Sequence, residues 1–420
     1  MTKNRIVAAI ELGSTKIATL IAQVSVDSVS FEKTVNIVGV ASSESRGIKK
    51  GQIVDIEEAV EATISSVEAA ERMAGYNLDN AFISLGGAHV SSQNSHGVVA
   101  VSDPEGEISP SDVERAIEAA SAISLPSSRE LIYVLPREYV VDGEAGIKDP
   151  VGMSGVRLEV ETHLITASGA AVKNLRKAIN EVGVDIEDMV FSGLASAEAV
   201  LTATEKELGC VVIDIGGGTT SVAAFINGAP VYSGIIPIGA KNVTNDLAIG
   251  LRVSLEAAEK IKIALSSDKK SKGDDSDQLD LNKLGVPEIK KVSKKTLIGG
   301  IIRPRLNEIF TMVRLDLDKA GITNMIPSGA VICGGGAETA EVANCAKRAL
   351  SLPVRVGKPK GVGGLIDDIL VPAFASPVGL ILYASDQPEA EHLTSFAKKI
   401  KLPSKGLAGK FVDIIRDLLP

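Results

Sequence analysis

The chain has 420 residues, 45% of them hydrophobic, with 40 glycines and a formal net charge of −9. At about 150 residues per domain this length suits two well-packed α/β lobes, and the acidic balance excludes a body built to bind nucleic acid. No run reaches the roughly 18 apolar residues that span a bilayer, and Glu11 interrupts the short apolar run 6–10, so no signal peptide is read at the N-terminus.

Arg5–Ala22 (RIVAAIELGSTKIATLIA) predicts two apolar strands joined by a glycine-led turn, with Glu11 closing the first. In the turn, Gly13, Ser14, Thr15 and Lys16 offer backbone N–H groups, hydroxyls and an ammonium to phosphate oxygens, and Glu11 stands where a metal-facing carboxylate belongs. The plain alternative is an ordinary hairpin turn. Val54–Ala74 has helical periodicity (Val60, Ile64, Val67, Ala70, Met73) and stops at Gly75, and 80–86 reads as a strand. Ser109 is expected to cap a helix beginning at Pro110. Glu130–Asp142 predicts a strand bent at Pro136, followed by a strand over 158–167. Residues 84–163 are therefore expected to form a small subdomain inserted into a first-lobe core of 1–83 and 164–200, which 360–384 closes again.

Cys210–Asn227 (CVVIDIGGGTTSVAAFIN) repeats the first pattern: aligning Glu11 with Asp214 sets Gly13 on Gly216 and Ser14 on Gly217. Such duplication predicts two related lobes. Asp214 closing an apolar strand suits Mg²⁺ held through water, while Gly216, Gly217 and Gly218 let the backbone approach phosphate and Thr219 and Thr220 add hydroxyls. The second lobe is expected over 201–265 and 309–359, with helices over 254–265 and 301–321 and a small polar subdomain over 266–308. A third turn, Gly334-Gly335-Gly336-Ala337, follows an apolar strand and is expected to open a helix over 338–350. Together the three turns argue for a nucleotide held between two lobes. The last core strand is placed at 379–384. Cys210, Cys333 and Cys345 are an odd number and read as reduced, buried thiols. His89, His96, His163 and His392 lack metal-ligand spacing and read as structural or surface residues.

A polar linker over 385–404 leads to 405–420, where Leu407, Phe411, Ile414, Ile415, Leu418 and Leu419 form one helical stripe. Lys405 and Lys410 lie among six basic residues, against two acidic ones, between Lys398 and Pro420. An acidic body with a basic amphipathic end predicts a helix that lies on an anionic membrane surface; packing on the body or on a protein partner is the alternative.

The order of these motifs resembles the actin / Hsp70 / sugar-kinase ATPase superfamily. Within it the chain is similar, over nearly its whole length, to the bacterial FtsA family. The resemblance is carried by SRGIKKGQIVDIE (45–57), DPVGMSGVRLE (149–159), HLIT (163–166), GLAS (193–196), EKELG (205–209), VIDIGGGTT (212–220), ICGGGAE (332–338) and PVRVG (353–357), together with the amphipathic end. It implies a two-lobed actin-like α/β fold with duplicated RNase H-like lobes, the inserted subdomain in the first lobe, and ATP with Mg²⁺ in the cleft. It implies Gly334, Gly335, Gly336 and Ala337 near the adenosine, and Glu259 and Lys262 reaching the ribose or base. It further implies head-to-tail filaments, a membrane-bound terminal helix on the cytoplasmic side of the inner membrane at the division site, and later division proteins as partners. The C-terminal peptide of the tubulin-like protein FtsZ is expected to meet Lys294, Lys295, Arg303 and Arg305; a solvated basic face is the alternative. Three positions depart from the family pattern: Glu11 for aspartate, Ser221 for the aspartate of GGGTTD, and Ala240 for the second glycine of a pair. Ser221 argues for slow hydrolysis at most. A small-molecule (sugar) kinase of the same superfamily is the alternative function.

Overall fold

The computed structural model describes residues 3–27, 32–267, 277–285 and 291–387. The sequence repeat is a structural repeat. In the first lobe β1 (Lys3–Leu12) and β2 (Lys16–Val26) form an antiparallel hairpin whose last pair is Leu12 and Ile17. β3 (Lys33–Glu44) pairs antiparallel with β2. On the other side β6 (Asn80–Leu85) runs parallel to β1, and β11 (Asp185–Phe191) parallel to β6. The two-residue β19 (Gly363–Gly364) completes the order β11-β6-β1-β2-β3-β19. The second lobe repeats this wiring. β12 (Cys210–Ile215) and β13 (Thr220–Ile226) form the hairpin, β14 (Ala229–Ile236) pairs antiparallel with β13, and β17 (Ala330–Cys333) and β18 (Val354–Val356) run parallel beyond β12, in the order β14-β13-β12-β17-β18. β12 is buried along its whole length, as expected of a central strand covered on both faces.

The inserted part is a four-stranded antiparallel sheet, β7 (Ser91–Ala100), β8 (Arg129–Val141), β9 (Glu144–Ile147) and β10 (Arg157–Ser168), in the order β7-β10-β8-β9. α2 (Pro110–Ser121) packs on it, capped by Ser109 in a reciprocal box with Asp112, over a separate core that includes Ile108, Ala116, Leu158 and Val160. Pro136 sits at a bulge, where the β8–β10 register shifts beside Thr162. Arg129 reaches both crossings into the first lobe, donating to His89 O at 3.1 Å and to Thr166 O at 2.9 Å. The insert also meets the edge strand of the second lobe. His163 bonds Asn94 and Ser233, and the Ser233 N–H donates to Ser92 Oγ at 2.9 Å. Burial, then the nearby Arg137 charge, pushes His163 down to about 4, so the ring is neutral at this joint.

Helices cover the two main sheets. α1 (Ile56–Ala74) ends on left-handed Gly75 as read, but its buried face is Ala59, Ala62, Thr63, Ser66, Val67 and Ala70, while Met73 is exposed. Small residues let the helix lie close to the sheet: a Cβ at Gly39 of β3 would come within 2.6 Å of Ala70 O. α3 (Gly169–Val182), α4 (Ser192–Val200) and α5 (Ala203–Leu208) follow β10 and β11; β4 (Ile48–Lys49) and β5 (Gln52–Ile53) form a small ribbon. In the second lobe come α6 (Ala240–Leu251), α7 (Leu255–Ser267), the ribbon β15 (Gln278–Asp280) and β16 (Lys291–Ser293), and α8 (Lys294–Leu297). A π-turn over Ile298–Ile302 joins α8 to α9 (Arg303–Lys319), so the boundary read at 308/309 falls inside a helix. Two readings are corrected. The expected helix over 338–350 is a 3₁₀ turn, Gly335–Glu338, then α10 (Val342–Leu350), because Glu341 has φ +67 and breaks the run. The strand expected over 379–384 is part of α11 (Ala375–Asp386), whose residues are buried nearly all round; such a run carries no period that separates strand from helix. Gly209–Cys210 and Cys333 sit at the lobe junction, and all three cysteines are buried free thiols.

Arg355 on β18 fastens the lobe junction, donating to both Glu205 oxygens and to Val200 O, each at 2.7 Å. This pairing holds Glu205 down at about 2. Arg355→Met is expected to cost about 2 kcal/mol at pH 7. Because the paired carboxyl lies below its ordinary value, the contribution is full above about 4.5 and is lost as pH falls toward 2. Thermal unfolding at pH 7 and pH 3 checks both signs: the gap between wild type and variant should narrow in acid.

Candidate functional site

The two hairpin turns close in the same way: Gly13 N donates to Lys16 O at 3.1 Å and Gly216 N to Thr219 O at 2.9 Å. They face each other across the lobes. A Cβ built on Gly218 would lie 2.8 Å from Ser14 Oγ, and one on Gly217 would overlap the Thr15 hydroxyl. Lys241 Nζ crosses to Ser14 O at 3.1 Å, and Gly51 N donates to Ser14 Oγ at 2.9 Å. Behind the second turn, the first N–H groups of α6 are directed at it: Ala240 N donates to Gly216 O at 2.8 Å and Lys241 N to Gly217 O at 2.9 Å. Gly239 is required here, since a Cβ would come within 2.5 Å of Gly216 O. Ala240, by contrast, is the first residue of a right-handed helix and needs no glycine, which accounts for that departure from the pattern. Thr220 is buried and donates to Ile238 O at 2.8 Å.

Glu11, Asp214 and Lys16 form one electrostatic cluster under the turns. Burial, assisted by Asp214 and opposed by Lys16, raises Glu11 from 4.5 to about 7. Burial also raises Asp214, against a hydrogen bond from Ser196 and the Lys16 charge, and lowers Lys16 against both acids. Two carboxylates and one ammonium leave this cluster short of positive charge. Ser196 lies on α4, whose Ser192 hydroxyl meets Ser221 Oγ at 2.9 Å. α4 thus gives one hydroxyl to each strand of the second hairpin. Neither serine announced itself in the sequence, although the GLAS segment contains Ser196; only the crossing of α4 over β12 and β13 gives them meaning.

The third turn abuts the second. Gly334 has φ +79, which favours glycine, and a Cβ there would come within 2.6 Å of Ile215 O. Gly335, Gly336 and Ala337 form the 3₁₀ turn, closed by Ala337 N donating to Gly334 O at 3.0 Å. Glu259 and Lys262 on α7 pair with each other at 2.7 Å and share Thr244 Oγ1 of α6. Of the four basic residues read as a partner surface, Arg305 is bound by Asp246 at 2.6 and 2.9 Å and also by Glu308, and Arg303 meets Glu341 at 3.2 Å. Lys294 and Lys295 open α8, where the Lys295 N–H donates to Asp277 at 2.9 Å. Leu407, Phe411, Ile414, Ile415, Leu418, Leu419, Lys405 and Lys410 lie outside the described residues.

Comparison with known proteins places this geometry. A family profile described as "Cell division protein FtsA" matches residues 211–379, and one described as "SHS2 domain inserted in FTSA" matches 87–166. The chain is 37% identical over 406 residues to the cell division protein FtsA of Borreliella burgdorferi, covering 96% of this chain and 97% of the relative. It is 35% identical over 380 residues to that of Pseudomonas aeruginosa, covering 90% and 89%. Among solved structures, the type IV pilus biogenesis complex PilM–PilN superposes with TM-score 0.64 at 18% identity over 91% of this chain and 99% of the other. MreB5 of Spiroplasma citri bound to AMPPNP gives 0.52 at 14% identity over 90% and 96%. The fold is the two-lobed actin-like one, and the chain belongs to the FtsA family of cell division proteins.

Proposed function

We propose that this cell division protein binds ATP between its two hairpin turns, polymerises head to tail on the cytoplasmic face of the inner membrane at the division site, tethers FtsZ filaments there and helps recruit later division proteins. The observation that carries the nucleotide reading is the meeting of two duplicated turns over one acid–ammonium cluster, half-buried at Glu11 and Lys16 and buried at Asp214. Gly13, Ser14, Thr15 and Lys16 hold the phosphates from one side, and Gly216, Gly217, Gly218, Thr219 and Thr220 from the other. The Gly334–Ala337 turn lies along the adenosine, with Glu259 and Lys262 toward ribose or base. Support comes also from an MreB of the same fold, solved with AMPPNP.

Asp214 and Glu11 are hard oxygen donors and suit Mg²⁺. An ion of this kind keeps several waters and takes phosphate oxygens, so one or two carboxylates suffice. Asp214 would hold Mg²⁺ through water, and the ion would supply charge neutralisation to the phosphates. Turnover is slow on this reading, because the position beside Asp214 is a serine paired with Ser192.

The membrane reading rests on the terminal stripe and its basic flank. Each Lys or Arg near an anionic surface adds about 1 kcal/mol, which alone gives reversible binding; a polymer couples many such helices and multiplies their hold. Phe411→Asp is expected to lower flotation with anionic liposomes by about tenfold while ATP binding is kept. A Phe411→Trp reporter in this Trp-free chain should shift its emission to the blue on liposomes. Equal flotation by polymerising and non-polymerising forms contradicts the avidity reading. On this reading the FtsZ C-terminal peptide meets Lys294, Lys295, Arg303 and Arg305, the first two of which open α8.

A further inference from the structure

Residues 372–386 touch the first and third glycine turns at one end and lead into the rest of the chain at the other. Pro372–Phe374 is a single 3₁₀ turn that runs directly into α11. Lys16 Nζ donates to Ala373 O at 2.7 Å and lies 3.3 Å from the centre of the Phe374 ring. Gly334 N donates to Pro372 O at 2.9 Å, so the same turn also holds the third glycine loop. Next along the chain, Ser376 is 2% exposed, and its hydroxyl lies close enough to the Glu11 carboxyl to lower its pKa.

α11 itself is pinned along its length. At its middle a Cβ on Gly379 would collide with Ala195 O, so α11 crosses α4 at backbone contact, one residue from the Ser196 that bonds Asp214. Its last turn is held by Arg5, which donates to Ala384 O at 2.7 Å, by Lys33 to Ser385 Oγ at 3.0 Å, and by Tyr383 to Asp188 at 3.2 Å. The two cations sit at the negative end of the helix.

Resting on the nucleotide reading above, we propose that Pro372–Ser376 is a further wall of the phosphate site: phosphate competes with the Ala373 carbonyl and the Phe374 ring for the single Lys16 ammonium, and the outcome sets how firmly the turn that starts α11 is held. A phosphate oxyanion wins this competition because both partners are then charged, whereas a peptide carbonyl is neutral. When Lys16 turns to phosphate, Phe374 loses its cation and Ala373 its donor, so the turn that starts α11 is freed. Coupling of this kind is reciprocal, so a change that weakens the turn's hold on Lys16 strengthens nucleotide binding.

Hydrogen exchange on the full chain, with and without Mg²⁺ and ATP, tests this beside an ATP titration of the same samples. ATP is expected to speed exchange over 372–380 by about threefold or more, with α2 unchanged as an internal reference. Phe374→Leu keeps the apolar bulk but removes the ring; it should exchange faster without ATP and bind ATP about threefold tighter. Phe374→Tyr keeps the ring face and should behave as wild type. ATP binding with unchanged exchange over 372–380 overturns the proposal while leaving the nucleotide site standing, and so does a folded Phe374→Leu protein that binds no more tightly. Wild type that binds no ATP removes both readings at once. The wild-type exchange result decides the matter even if Phe374→Leu fails to fold.

Discussion

Gly217→Val is expected to lower ATP affinity by about 100-fold, close to 3 kcal/mol. A Cβ at this position overlaps the Thr15 hydroxyl and stands 3.1 Å from Thr15 Cβ, on the turn that faces it from the other lobe. Neither side has room to give. The second turn is pinned from behind by the α6 N–H groups on Gly216 and Gly217, and the first by Gly51 and Ser45, which donate to Ser14 Oγ and Thr15 O at 2.9 and 3.0 Å. The added side chain therefore holds the lobes apart and opens the phosphate cradle. A milder pair of variants separates this cause from general damage. Gly217→Ala alone should weaken ATP several-fold, and Thr15→Gly should cost less in that background than it does alone, because it removes the overlapping Thr15 side chain and leaves the Thr15 backbone nitrogen, at 3.8 Å, as the nearest neighbour. Titration with a fluorescent ATP analogue reads both, and a Gly217→Val protein that binds like wild type contradicts the closure of the two turns on the ligand.

Glu11→Gln is expected to trade function for stability. The folded protein holds this carboxyl at about 7, above its ordinary 4.5, because it is buried beside Asp214. Below about 4.5 the group is protonated in both folded and unfolded chains and carries no penalty. As pH rises toward 7 the unfolded chain releases the proton and the folded one retains it, so stability falls, by about 3 kcal/mol in all. Glutamine does not titrate. The variant should therefore match wild type near pH 4.5 and exceed it by about that amount at pH 8, as read by thermal unfolding without nucleotide. Its affinity for ATP with Mg²⁺ should fall about tenfold, since the carboxylate facing the metal is gone. A variant no more stable than wild type at pH 8 removes the strained-acid account of Glu11.

Much of this was legible in the sequence because the fold is made twice. The alignment of Glu11 with Asp214 anticipated two hairpins with the same turn closure, and Ser109 and Gly75 marked helix ends through local capping chemistry. What escaped was decided by tertiary packing. α11 is buried on every side, so its sequence carries no helical stripe, and it read as a strand. α1 buries mainly alanines, with Thr63, Ser66 and Val67, and approaches Gly39 through Ala70, so its large apolar residues misled the choice of face. Ser192, Ser196, Ala373 and Phe374 lie far in sequence from the turns they serve, and no spacing joins them. Arg303 and Arg305 looked like free cations, because Asp246 comes from α6 and Glu341 from the residue before α10.

The central claim is that the two turns clamp ATP with its metal over Asp214. Calorimetric titration of the full chain with ATP, with and without Mg²⁺, in wild type and Asp214→Asn, tests it most directly. The account predicts one saturable site per chain, weakened about tenfold or more by removing Mg²⁺ and by Asp214→Asn. Wild type without a saturable site, or Asp214→Asn binding as tightly as wild type with Mg²⁺ present, contradicts it.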